Sequence, residues 1–126
     1  MSTARLFVLV VCLGLGLSRP PMFAHHAFNA EFDEKDRVTL KGTVTKTEWV
    51  NPHGRIYIDV KGLNGRIANW AIETAAPAVL LGRGVRKDDF RIGVQVIVDA
   101  YRAKNKATTA AGRIVRLPDG TELFLR

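Results

Sequence analysis

The 126-residue chain carries 19 Lys and Arg against 12 Asp and Glu, a net charge of +7, with three histidines and one cysteine. That length suits one compact domain, and a single cysteine excludes a disulfide framework within the chain. The cations are dispersed and not run together, as on a solvated surface with a modest excess of one sign.

Arg5 precedes an unbroken apolar run of 12 residues, Leu6 to Leu17, "LFVLVVCLGLGL". A charged start and a short greasy stretch form the pattern of a secretory signal, and the run is too short to span a bilayer comfortably. The following "SRPPMFA" breaks any helix and ends on the small Ala24, the expected cut, with cleavage after Ser18 its main competitor. Cys12 is set aside as a lipidation site because bulky Val11 precedes it and the apolar run continues past it. Residues 1–24 are therefore read as a signal peptide and the protein as periplasmic, with no stable membrane anchor after cleavage. Losing Arg5 and Arg19 leaves 17 Lys and Arg against 12 Asp and Glu on a mature chain of 102 residues without cysteine. Such a domain relies on its core.

"HHAFNAEFDEKDR" (25–37) reads as a polar, irregular arm, with Phe28 and Phe32 anchoring it to the domain formed by residues 38–126. From Val38 the pattern alternates, with Val38, Leu40, Gly42 and Val44 on one face, which predicts a half-buried strand running towards Trp49. Asn51-Pro52-His53-Gly54 predicts a turn. A second strand follows with Ile56, Ile58 and Val60 inward, then a hairpin loop around Asn64-Gly65. Ile67 to Glu73 is the third strand, carrying Trp70 and Ile72. The period then changes: "TAAPAVLLGRGV" (74–85) predicts one short helix capped by Thr74, with Pro77 in its first turn, Val79, Leu80 and Leu81 packing, and Gly82 and Gly84 ending it. "DDFRIGVQVIVDAYR" (88–102) predicts a fourth strand, Gly112 to Leu117 a fifth, and Pro118-Asp119-Gly120 a turn before the tail "TELFLR".

Three strands, a short helix and two strands is the element order of a five-stranded OB-like Greek-key barrel. Closure hides the sheet edges, which suits a small all-β domain without disulfides. An open sandwich or roll is the competing arrangement.

"HHAFNAEFD", "TLKGTVTKTEWVNPH", "NWAIETAAPAVLLGRG" and "GRIVRLPDG" together resemble a family of small exported bacterial proteins of unknown function. Its members share a His-His-x-Phe start, a Leu-Lys-Gly-Thr-Val strand, a Trp-x-Asn-Pro-His turn and a Trp-x-x-Glu segment. Gly54-Arg55 and Thr74-Ala75 depart from that pattern. The resemblance implies export and a single β-domain, and lends no reaction.

Two of the three histidines are adjacent. Cleavage after Ala24 makes His25 the first residue, whose α-amine and Nδ1 can chelate one copper ion. A further imidazole completes a nitrogen-only set of the histidine-brace kind, which suits copper. His53 approaches from the body of the domain, whereas the adjacent His26 must turn back. Glu48 or Glu73 supplies an oxygen ligand or orients an imidazole. The plainer alternative is a solvated His-His pair and a turn histidine bonded to backbone. Three histidines and no mature cysteine do not suit a structural zinc site.

Trp49, Asn51, Tyr57 and Trp70 form a second constellation, a candidate ligand groove on the outward aromatic face for a small ligand or a periplasmic protein partner. For the tryptophans, core packing is the alternative. Lys41, Lys46 and Arg55 are available beside the aromatics, but export argues against nucleic acid. No G-x-S-x-G, cysteine nucleophile, H-E-x-x-H or phosphate loop occurs in the mature chain. The sequence reads as a binding or structural module and not an enzyme.

Overall fold

The computed structural model describes the chain from Met22 to Arg126, with side chains described from Ala27 onward. Most of the expected signal peptide, and the imidazoles of His25 and His26, lie outside the described residues.

Alternation builds the strands. Strand β1, Phe32–Glu48, buries Leu40, Gly42 and Val44 and exposes Lys41 between them. It runs antiparallel to β2 (Arg55–Lys61), which buries Ile56 and Ile58, and β2 pairs in turn with β3 (Ile67–Glu73), which buries Trp70 and Ile72. A short helix, α2 (Pro77–Gly82), leads through a 3-10 turn at Lys87–Phe90 into β4, Gln95–Ala103. Strands β5 (Thr109–Arg116) and β6 (Glu122–Phe124) complete the order β3-β2-β1-β4-β5-β6.

Five strands close into a ring because β3 also pairs with β5, in parallel, through Ala71–Glu73 against Thr109–Ala111. That is the expected OB-like barrel. Long β1 serves both halves: Gly42 pairs with Val60 of β2 and with Val96 of β4. A Cβ at Gly42 would lie 2.6 Å from the Asp59 carbonyl oxygen, so only glycine lets the backbones approach this closely. The core joins Ile56, Ile58, Ile72, Leu80, Phe90 and Val98 with their neighbours.

Five details depart from the sequence reading, one being that the fourth strand, expected from Asp88, begins only at Gln95 after the Lys87–Phe90 turn. Residues Met22–Glu31 form a helix, α1, where an irregular arm is expected, and β1 begins at Phe32. Phe28 on α1 and Phe32, the first residue of β1, bring their ring centroids 5.3 Å apart. They pack with Tyr101, Ala103 and Ala111 on the outer side of the barrel wall. Thr74 does not cap α2, whose N-cap is Ala76; Thr74 is fully buried and its hydroxyl donates to the Ala75 carbonyl. Of the three helix residues expected to pack, only Leu80 is buried, while Val79 and Leu81 are exposed. The tail forms a sixth strand on the far edge of β5, and Leu125 beyond it enters the core.

Candidate functional site: a cavity between the first helix and the barrel wall

The turn that carries His53 is fastened to the strand end that carries Glu73. The Thr74 N–H donates to the Gly54 carbonyl at 2.9 Å, and the Gly54 N–H donates to Ala75 at 3.3 Å. Gly54 is required there, since a Cβ would meet the buried Thr74 hydroxyl at 2.7 Å. The His53 ring follows: Nδ1 lies 3.2 Å from the Thr74 carbonyl, which can only accept, so Nδ1 carries the hydrogen. Nε2 is left with the lone pair, on a side chain that is 46% exposed. The turn histidine thus makes the backbone bond that the plainer alternative expects, in a neutral tautomer with the lone pair on its other nitrogen.

Glu73 closes β3 beside Ala111 of β5, and its side chain is 10% exposed. Burial of a carboxylate demands a partner. Arg126 provides it, with Nη2 donating to Oε1 at 2.9 Å, while His53 Nδ1 stands 3.9 Å from the same oxygen. The Arg126 guanidinium also lies 4.9 Å from the Phe28 ring centroid. Its Nε is buried with no acceptor among the described residues.

Helix α1 roofs this group. Lys104 ties down its C-terminal end, its N–H donating to the Glu31 carbonyl at 2.9 Å and its ammonium to the Asn29 carbonyl. A cavity of about 320 Å³ remains between helix and wall, with Ala27, Phe28 and Glu31 on one side and His53, Glu73 and Arg126 on the other. The arrangement offers an imidazole lone pair, a neutralised carboxylate–guanidinium pair and an aromatic face. Among the described residues, no serine or cysteine lines the cavity. Among the described residues, no three His, Cys, Asp or Glu side chains gather in a metal-holding group.

The remaining sequence candidates are dispersed. Glu48 is held on the other side of the turn by Lys46 at 2.6 Å, the Tyr57 hydroxyl at 3.0 Å and Arg55 at 3.7 Å. Lys46 and then Tyr57 hold the Glu48 carboxyl below the usual carboxylate range, and Glu48 in turn raises Lys46. Tyr57 faces outward as expected, with the Lys46 ammonium 5.2 Å from its ring. Trp70 pairs with Ile58 and points into the core, opposite to Tyr57; Trp49 is partly buried against that core and Asn51 is exposed in the turn. Period two separates them, because Tyr57 and Ile58 are consecutive. Sequence reasoning missed Arg126 as a site residue. It follows a three-residue strand too short to show alternation, so nothing in the tail pointed to a partner for Glu73.

No curated protein and no solved structure matches the chain. A family model does, over residues 15–112, which takes in the adjacent histidines, the His53 turn, Glu73 and the ring of five strands as far as Gly112. On that match across more than three quarters of its length, the chain belongs to the family of unknown function DUF6152.

Proposed function

We propose that this is an exported binding module whose site is the cavity beneath α1, and that its ligand is a copper ion held by the α-amine and imidazole of His25 together with His53. The observation that carries the reading is that Ala27 and Phe28 line the same cavity as His53. Helical spacing sets position 25 about one turn before Phe28. His53 offers Nε2, with Nδ1 committed to a backbone carbonyl, the usual way in which a ligating imidazole is oriented. Glu73 is neutralised by Arg126, so it acts in this reading as a neighbour that steadies the turn and not as a ligand. The nitrogen-only donor set favours copper over harder divalent ions.

Export and trimming after Ala24 are part of the proposal. Mass spectrometry of the protein recovered from the periplasm is expected to give His25 as the first residue. Copper titration of that protein is expected to show one tight site, with affinity reduced by about tenfold or more in His53→Ala and lost when one residue is added ahead of His25. A different start, or copper affinity indifferent to both changes, overturns the reading.

A further inference from the structure

A second cavity, of about 760 Å³, opens at the β2–β3 hairpin end of the barrel and shares no lining residue with the first. Its walls are Val38, Leu40, Val60 and Trp70. Leu40 and Trp70 belong to the core and the two valines pack against it, so the floor is the barrel interior itself. Leu63, fully exposed, and Ile67, 67% exposed, flank the opening.

The charged side chains lining this mouth are both arginines, beside the neutral Thr39, Asn64 and Thr108. Arg66 and Arg102 line it, and neither pairs with a carboxylate among the described residues. The Arg102 guanidinium lies 5.5 Å from the Trp70 ring centroid. Its one hydrogen bond is long, 3.4 Å from Nη2 to the Lys106 carbonyl, and its Nε is buried with no acceptor among the described residues. A buried donor without an acceptor is costly and uncommon. Here it stands beside an apolar cavity within the usual range for small organic ligands, about 300–1,000 Å³.

We infer that this mouth binds a small amphipathic carboxylate, its apolar body against Val38, Leu40, Val60 and Trp70 and its head on Arg102. A carboxylate has two acceptor oxygens with the spacing of a guanidinium edge, so one group satisfies Nε–H and an Nη–H together. Arg66, which also lines the mouth, adds to the positive potential that draws an anionic head there. An uncharged ligand of equal length would bury as much apolar area yet leave the Arg102 donor unsatisfied.

Octanoate titrated into the full chain, followed by amide NMR, is expected to saturate and to move resonances of β1, β2 and β3 around the mouth while sparing those of the His53 turn. Octanol is expected to bind about tenfold more weakly. Arg102→Gln is expected to bring octanoate down to the octanol level, with the barrel spectrum otherwise kept. The wild-type comparison of octanoate with octanol needs no variant, so it stands even if Arg102→Gln fails to fold. Equal binding of the two probes, no saturable binding, or binding unaffected by Arg102→Gln overturns the inference. So does sedimentation with phosphatidylglycerol vesicles in place of octanoate binding, which would assign Leu63 and Ile67 to a lipid surface.

Discussion

Arg126 and Arg102 are alike in three respects and differ in a fourth. Each guanidinium lies over an aromatic ring, Phe28 or Trp70, each has a buried Nε without an acceptor among the described residues, and each lines a cavity. Arg126 has Glu73 at 2.9 Å, whereas Arg102 has only a carbonyl at 3.4 Å. The first arginine is part of the protein's own fastening. It neutralises a buried carboxylate and joins the last residue of the sequence to β3. The second has most of its hydrogen-bonding capacity unspent. The same side chain is structural where an internal anion meets it and receptive where none does.

The comparison can be broken first at Phe32. This ring is 1% exposed and anchors α1 to the wall. Phe32→Ala is expected to cost about 3–5 kcal/mol in urea unfolding. In a variant that remains folded, it is also expected to loosen the cavity at Arg126 while leaving amide shifts around Arg102 in place. Glu73→Leu then makes Arg126 resemble Arg102, leaving its charge without a partner. The expected loss is about 2 kcal/mol, below that of a fully buried pair because Arg126 keeps 26% exposure. Adding Arg126→Met is expected to recover most of it, and a double-mutant cycle measures the coupling.

Gly54→Ala acts on the first region alone. Its methyl group must displace the buried Thr74 hydroxyl, at an expected cost of about 1–2 kcal/mol. In the copper reading, it also weakens copper binding by shifting His53. The smallest effect is electrostatic and belongs to neither cavity. Glu48 is depressed first by its hydrogen bond to Lys46 and then by that to Tyr57, so its contribution to stability is present above the ordinary Glu range. It is lost as pH falls through the lowered folded value. Unfolding midpoints between about pH 3 and pH 6 are expected to fall slightly less steeply in Glu48→Gln than in the parent.

Much of the barrel was readable because each long strand has one buried face. Val38 to Val44, Ile56 to Val60, Trp70 with Ile72, and Val96 to Ala100 all repeat at period two. Helix α1 was not readable, since Phe28 in a polar stretch fits an anchored arm as well as a helix, and Phe32 already belongs to β1. Strand β6 was too short and exposed to carry a period. Of the first cavity, His53 and Glu73 were singled out for their chemistry. What joins them, the Gly54–Thr74–Ala75 backbone bonds, is long-range pairing that no local pattern encodes. Glu48 and Glu73 looked equivalent in the sequence, and both stand in register with Arg55 of β2; what separates them is that Glu73 alone meets Ala111 of β5 and Arg126.

The parallel seam that completes the ring is three residues long, Ala71 to Glu73 against Thr109 to Ala111. Trp70 and Thr108, just before its first rung, line one cavity, and Glu73 on its last rung lines the other. The two recesses are thus moored to opposite ends of a single short clasp, the shortest inter-strand contact in the closed circle. A force that prises β3 from β5 is therefore felt at both moorings at once.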